Sequence, residues 1–264
     1  MQVKCNTDAI LVKGRYVKLA RDVSQTPWNL NEDDDGDEEG GAVKVLAPGA
    51  HKSLQNVQDL IGGEIKTEIF QAEEVLLHGS GREDVDVRML GHGRPFILEF
   101  INPKKSLSCH QRLDEMRALA NKSDKVKALK MGIATKQDFE ELKASCATKQ
   151  KSYVSLVWVK DPVTQEILDE KLNSLKNLTV MQHTPVRVLH RRSQLERVKK
   201  VYALQAKLLN GHFFELHVLA SAGTYIKEFV HGDLGRTVPN VGQILGTESD
   251  ILQLDVTNVF EDML

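Results

Sequence analysis

The stretch "GREDVDVRML", residues 81–90, places two carboxylates between two guanidinium groups. Asp84 and Asp86 lie two positions apart, with Arg82 and Arg88 outside them. A carboxylate beside an arginine stays ionised and can act as a nucleophile, and two carboxylates at this spacing can share a divalent cation if other ligands complete the site. Because valines alternate with the charges, a solvated strand with ordinary surface charge also fits the pattern. The residue types alone leave all three interpretations open and favour the solvated strand.

A second candidate set lies in "SAGTYIKEFVHGDLG", residues 221–235, where small residues join a strand to a helix. Tyr225 and Lys227 fall in the first turn of that helix. Backbone N–H groups at a helix N-terminus favour an anion such as a phosphate or carboxylate, and the lysine adds a positive charge. The same pattern is typical of a plain strand–turn–helix junction in which Tyr225 belongs to the core.

Two further stretches combine residues that suit nucleic acid. Tyr153 follows "KQK", and an aromatic ring beside basic residues can stack on an unpaired nucleobase. "TPVRVLHRR" gathers Arg187, Arg191 and Arg192, which suit backbone phosphates. Taken alone, an edge aromatic beside solvated lysines and a solvated strand end explain these two stretches better.

Composition limits the class of protein. The chain has 264 residues, of which 41% are hydrophobic and 27% charged, as in globular domains. No apolar run approaches the roughly 20 residues that span a bilayer, and the N-terminus lacks a signal-peptide core, so we expect an intracellular protein with no membrane association. The three cysteines include no Cys-x-x-Cys pair, which disfavours a disulfide framework or a cysteine zinc site.

The net charge of −2 conceals an acidic run at residues 32–39 that holds seven acids and no base. Without it the remainder carries an excess of basic residues, which is compatible with nucleic-acid binding but common in other proteins. We interpret residues 31–41 as a solvated acidic insertion.

The elements that must position these side chains alternate between strands and helices. "KSYVSLVWV", residues 151–159, alternates as a strand, and "TPVRVLHRR" continues a strand around Pro185. Asn210-Gly211 predicts a type I′ hairpin turn. "TYIKEFVHGDLG" predicts a helix that ends at Gly235, and Thr135 is a candidate N-cap of a helix over "KQDFEELKAS". The mixture predicts an α+β fold around a largely antiparallel sheet.

Together these motifs resemble the pseudouridine synthases. "REDVDVRMLG" is similar to the family's Arg-x-Asp-x-x-Val loop, "KSY" to its Lys-x-Tyr motif, and "GTYIKEFVHGDLG" to its Gly-Thr-Tyr motif. "GRYVKLARDVSQTPW", "GRPFILEF" and "TPVRVLHRR" narrow the resemblance to the archaeal and eukaryotic tRNA pseudouridine synthases of the tenth family. The likeness runs from about Gly14 to Asp255.

The resemblance implies a pseudouridine synthase core, in which helices flank a mixed, mostly antiparallel sheet around a central active-site cleft. It implies isomerisation of uridine in the TΨC loop of tRNA, at position 54, position 55 or both. Asp84 would attack the flipped-out uridine, Tyr153 would stack on its base and Tyr225 would line the pocket. Lys227 would pair with Asp84, and Arg82 would hold the flipped nucleotide or a phosphate.

The resemblance also sets expectations for the whole chain. Residues 1–264 would form one catalytic domain that carries the acidic insertion and lacks the family's N-terminal RNA-binding and zinc region. Arg187, Arg191 and Arg192 would contact the RNA backbone. The enzyme would need no cofactor or metal, would bind the TΨC arm as a monomer, and would work in the nucleus, the cytoplasm or both.

Two alternatives stay open at this point. The chain could be a non-catalytic RNA-binding or processing factor on the same scaffold. It could also be a metal-dependent phosphoesterase that uses Asp84 and Asp86. Where this chain has Asp86, relatives often have glycine, so the resemblance assigns Asp86 a supporting role.

Overall fold

The computed structural model describes residues 7–27, 55–105, 112–145 and 149–260. The chain forms two compact units. The first comprises Met1–Asp86, Arg94–Leu142 and Met263–Leu264, and the second comprises Val87–Gly93 and Lys143–Asp262. The predicted acidic insertion at residues 31–41 lies outside the described residues, and the expectation of a single catalytic domain stays a prediction.

The first unit is built on strands that carry its buried apolar residues. They are β1 (Ile10–Lys18), β2 (Glu74–Gly79), the first-unit part of β3 (Arg88–Ile101) and β4 (Val126–Ile133). β1 pairs antiparallel with β4, and β2 pairs antiparallel with β3. The helices of this unit are α1 (Val57–Glu64), α2 (Leu113–Ala120) and the part of α3 (Lys136–Ser145) that ends at Leu142.

Capping residues fix two of these helices. Asn56 accepts the backbone N–H of Asp59 at the start of α1, as an N-cap residue does. Thr135 Oγ1 accepts the N–H of Asp138 at 3.2 Å, and the Asp138 carboxylate accepts the N–H of Thr135 at 2.7 Å. This reciprocal capping box confirms the predicted start of α3.

The second unit contains a longer sheet. Its further strands are β5 (Lys151–Val159), β6 (Lys176–His183), β7 (Glu196–Asn210), β8 (Phe213–Ala220), β9 (Thr237–Val238) and β10 (Ser249–Val259). Every pairing along the order β10-β5-β8-β7-β6-β9 is antiparallel, whereas β10 pairs parallel with the start of β3. The predicted α+β class with a mixed, mostly antiparallel sheet is therefore confirmed.

Short helices pack on this sheet. They are α4 (Gln165–Leu168), which continues as a π-helix over Asp169–Asn173, α5 (Ile226–His231) and α6 (Val241–Leu245). α4 packs on β7, and α5 packs on β10. No helix in the described part of the chain has the length and apolar character to cross a membrane.

Three local predictions are wrong in detail. The hairpin between β7 and β8 turns at Gly211 and His212, and Asn210 and Gly211 both lack the positive φ of a type I′ turn. Instead the Asn210 side chain accepts the N–H of His212 at 3.0 Å, which stabilises the turn locally.

The strand predicted around Pro185 ends before the proline, and Val186–Arg191 forms a 3₁₀ helix because proline cannot continue the ladder. The helix predicted to reach Gly235 ends sooner, at Gly232. There the left-handed φ of +81° lets the Gly232 N–H bond the carbonyl of Glu228.

Candidate active site

Asp84 lies on a loop, and not on the strand that alternation predicted. Residues 80–87 connect β2 to β3, and we refer to residues 80–86, which belong to the first unit, as the Asp84 loop. Asp84 is partly buried, whereas Asp86 and Arg82 are exposed. The structure therefore separates two aspartates that the sequence pattern had left equivalent. Arg88 belongs to the second unit, where its guanidinium binds the Asp255 carboxylate at 3.0 and 2.5 Å.

A buried ion pair supports the loop next to Asp84. The carboxylate of Glu83 accepts Tyr16 Oη at 2.7 Å and Arg94 Nε at 2.6 Å. The Arg94 side chain is 1% exposed and that of Glu83 is fully buried. Arg94 also donates through Nη1 to the carbonyl of Ser80 at 2.6 Å, so one guanidinium holds two points of the loop.

Side chains from the segment that begins with β1 hold the loop's carbonyl groups. The fully buried Lys18 ammonium donates to the carbonyls of Val23, Asp84 and Val85 at 2.8, 2.9 and 3.0 Å. Gln25 donates to the carbonyl of Gly81, and Arg21 donates to that of Asp86, both at 3.0 Å. These bonds fix the main chain of Asp84 without using its carboxylate.

Burial governs the ionisation of the two groups beneath the loop. It lowers the pKa of Lys18, while the negative charges of Glu83, Asp86 and Asp84 oppose that change. Three carbonyl acceptors match the three N–H donors of an ammonium, so the geometry suits the charged form. Burial also raises the pKa of Tyr16 well above its usual range, and the adjacent Glu83 carboxylate adds to the effect.

In the second unit, Tyr153 lies on β5 and its side chain belongs to the buried face of that strand, with 8% of the residue exposed. Burial alternates along β5, since Ser155 and Val157 share the buried face with Tyr153. The predicted strand and its two faces are confirmed. A tyrosine on the inner face of a regular strand has a ring direction fixed by the pleat.

Tyr225 is held at the junction of a turn and α5. The Gln182 side chain donates to its carbonyl at 2.9 Å and accepts its N–H at 2.9 Å, so one amide group pairs both backbone groups. Lys199 stabilises the turn that precedes Tyr225, because its Nζ donates to the carbonyl of Ala222 at 2.8 Å. Burial lowers the pKa of Lys199, and the positive charge of Arg197 lowers it further.

Arg187 is brought next to Tyr225. Its guanidinium carbon lies 6.0 Å from the centre of the Tyr225 ring, and its Nε donates to the Glu228 carboxylate at 2.7 Å. Arg192 is exposed just after the 3₁₀ helix that Arg191 ends. Lys227 lies in the first turn of α5, as predicted, and is partly buried. The roles assigned to these four side chains stay predictions.

Asp84 and Arg82 belong to the first unit, and Tyr153, Tyr225, Lys227 and the arginines belong to the second. Within the described ranges, no three His, Cys, Asp or Glu side chains group as metal ligands do.

The sequence of this chain matches a known protein family along most of its length. The family model described as "Pus10, C-terminal" matches residues 11–260. The chain belongs to this family. It is 38% identical over 262 residues to the tRNA pseudouridine synthase Pus10 of Xenopus laevis, covering 99% of this chain and 47% of that protein.

Other members of the Pus10 family have similar sequence identity to this chain. The human protein of that name is 36% identical over 263 residues, which cover 99% of this chain and 46% of that protein. The protein from Pyrococcus furiosus is 36% identical over 262 residues, covering 99% of this chain and 60% of that one. This chain thus spans about half the length of the vertebrate relatives.

Solved structures show only distant likeness. A Cbf5–Nop10–Gar1 complex gives a TM-score of 0.45 at 17% identity, covering 75% of this chain and 44% of that one. A pseudouridylate synthase gives a TM-score of 0.32 at 12% identity, covering 93% and 63%. The family assignment rests on the sequence match.

Sequence reasoning missed several residues that hold the candidate side chains in place. They are Lys18, Glu83, Arg94, Gln182 and Glu228. The signal for Lys18 was a lysine inside the apolar strand "RYVKLA". Gln182 and Glu228 gave no such signal, because each lies more than 40 residues from the group that it binds.

Proposed function

We propose that this chain is the catalytic part of an RNA pseudouridine synthase that converts uridine to pseudouridine in the TΨC loop of tRNA. The target is position 55, with position 54 as a second site. The observation that carries the proposal is the family match over residues 11–260, which includes Asp84 and the Tyr153 and Tyr225 motifs. The relatives' printed names describe tRNA pseudouridine synthases.

The geometry around Asp84 supports a role in chemistry. Its main chain is fixed by Lys18, and the adjacent Glu83 is locked by a buried ion pair. Asp84 as a residue is partly buried, whereas the side chain of Glu83 is fully buried. A rigid main chain that carries an incompletely buried aspartate suits a preorganised nucleophile.

In the proposed reaction the target uridine leaves the RNA stack and enters the site. Unstacking costs a few kcal/mol, least for a loop nucleotide, and stacking on Tyr153 with hydrogen bonds in the pocket offsets that cost. Asp84 attacks the base or the sugar, and the bond between C1′ and N1 breaks. The uracil turns, C1′ bonds to C5, and the proton lost from C5 is balanced by one gained at N1. The reaction is an isomerisation, so no redox partner takes part.

The chain provides a matched pair of variants for testing this proposal. Asp84→Asn and Asp86→Asn remove the same charge two residues apart, and the Asp86 side chain is exposed. Incubation with an unmodified tRNA transcript, followed by mapping of pseudouridine, measures turnover. Transcripts with cytidine at position 54 or 55 separate the two sites.

We expect the wild-type chain and Asp86→Asn to form pseudouridine and Asp84→Asn to form none, with RNA affinity changed less than about threefold. A folded wild-type chain that makes no pseudouridine would overturn the proposed function. Activity that survives in Asp84→Asn but vanishes in Asp86→Asn would move the nucleophile to Asp86. RNA binding without turnover in all three proteins would favour the non-catalytic alternative.

A further inference from the structure

The main chain of Tyr225 is paired more completely than a turn requires. Its carbonyl accepts both the N–H of Phe229 at 3.0 Å, which starts α5, and Gln182 Nε2 at 2.9 Å. Its N–H donates to Gln182 Oε1 at 2.9 Å. Gln182 is fully buried on β6. Its side-chain amide bonds both the N–H and the carbonyl of one residue, as the backbone of a neighbouring antiparallel strand does.

The ring of Tyr225 has a separate support. Arg187 lies 6.0 Å from the ring centre, which is within range of a cation–π contact. The guanidinium is held there by Glu228, whose side chain is 1% exposed and whose Oε1 accepts Arg187 Nε at 2.7 Å. Glu228 follows Tyr225 by three residues and lies within α5, whose N-cap is Tyr225.

The burial of the Glu228 carboxylate is unfavourable for the stability of the fold. A carboxylate taken out of water loses several kcal/mol of solvation unless its oxygens are paired. Among the described residues, Glu228 Oε2 has no hydrogen-bond partner and is the only such buried side-chain atom. An apolar side chain could fill the same space without this cost, so packing alone does not account for the carboxylate.

We propose that Gln182 and Glu228 are positioning residues for Tyr225, with Gln182 fixing its main chain and Glu228 holding Arg187 against its ring. This inference rests on the proposed function, in which Tyr225 lines the pocket for the flipped base. Both supports are present before any substrate enters. They fix the pocket wall in advance, so their loss lowers the rate of the chemical step more than the affinity for RNA.

The variants Glu228→Gln and Gln182→Met test the two supports separately. Glu228→Gln keeps an oxygen for Arg187 Nε and removes the charge, and Arg187 is 38% exposed, so water can solvate the released guanidinium. Gln182→Met keeps the size and removes both hydrogen bonds. Glu215→Gln is the control, because it neutralises a carboxylate on β8 that pairs with His217.

In single-turnover assays on a tRNA transcript we expect each variant to lower the rate constant about tenfold, with RNA affinity within about twofold of wild type. Glu215→Gln should match wild type in both measurements. Unchanged rates in Glu228→Gln and Gln182→Met, with an active wild type, would overturn the inference. An equal loss of affinity and rate would show that the two residues contribute only to stability.

A second measurement is independent of turnover. The chain has four tyrosines, so the ring signals of a ¹³C-tyrosine-labelled sample are few, and Tyr225→Phe identifies the signal of interest. We expect this signal alone to shift and broaden in both variants. If it stays as in wild type, the positioning role is refuted whether or not the chain modifies RNA. If it shifts in a chain that makes no pseudouridine, the proposed function fails and the positioning of Tyr225 stands.

Discussion

Replacing Glu83 by glutamine changes one buried atom next to the candidate nucleophile. The substitution keeps the size of the side chain and an oxygen that can accept Tyr16 Oη. The amide nitrogen takes the place of one carboxylate oxygen, either the one that accepts Arg94 Nε at 2.6 Å or the one that accepts Tyr16 Oη. In both orientations the negative charge is lost. Arg94, whose side chain is 1% exposed, then loses the negative charge of Glu83.

The structure allows the size of the effect to be worked out. Removing one partner of a buried ion pair costs about 3–5 kcal/mol, because the remaining charge stays out of water. Arg94 keeps its bond to the Ser80 carbonyl, so we expect a loss near the lower end of this range, about 3 kcal/mol. A domain is stable by only about 5–15 kcal/mol, so the first unit would lose a large share of its stability.

Amide hydrogen exchange measures this loss within one sample. β3 residues Phe96–Phe100 pair with β2 in the first unit, and β5 lies in the second unit. We expect Glu83→Gln to speed exchange at Phe96–Phe100 by about 100-fold, which corresponds to about 3 kcal/mol. Exchange along β5 serves as the internal reference and should change far less.

The double variant Glu83→Gln with Arg94→Met supplies the control. It removes both charges, so no charge of the pair stays buried without its partner. We expect it to be less destabilised than the sum of the two single variants by about 2 kcal/mol. Protection in Glu83→Gln equal to wild type, or strictly additive losses in the double variant, would refute the role given to this pair.

Two further predictions follow from the same unit. Lys18→Met removes the donor to the carbonyls of Asp84 and Val85. A resulting shift of about 1 Å in Asp84, the proposed nucleophile, should lower the single-turnover rate constant about 100-fold while RNA affinity stays within about threefold, and a rate equal to wild type would contradict this prediction. Asp138 has a pKa of about 2, lowered from 3.8 chiefly by the hydrogen bond from Lys13, so its contribution to stability is complete above pH 3.8 and is lost as the pH falls towards 2. Solvent screening limits this contribution to about 1 kcal/mol. Urea unfolding at several pH values between about 2 and 6 gives the free energy of unfolding as a function of pH, which should fall less steeply towards low pH in Asp138→Asn than in wild type. An identical pH dependence in the two proteins would show that Asp138 is not the group responsible.

The regular elements were predictable because their signals are local. The alternation over "KSYVSLVWV" predicted β5, and Thr135 with Asp138 predicted the start of α3. Each signal lies within ten residues, where pleat and capping geometry decide the outcome. The α+β class followed from the order of such elements.

The predictions failed where distant groups decide the local conformation. Alternating valines predicted a strand at residues 81–87, yet Lys18, Gln25 and Arg94 take up the carbonyl groups of a loop instead. The same holds for Gln182 and Glu228, whose partners lie 43 and 41 residues away. The motif identified Asp84, but its surroundings depend on tertiary contacts that no spacing in the sequence records.

The Asp84 loop is held by side chains that lie far from it in the sequence, and this has a consequence for folding. Lys18 lies 66 residues before Asp84, and Gln25 lies 56 residues before Gly81. Contacts at such separation carry the entropy of closing a long chain segment, and this cost must be met before they can form. The main chain of Asp84 is therefore fixed only in a chain in which these distant contacts have closed, and a partly folded chain that lacks them carries the aspartate on an unsupported loop.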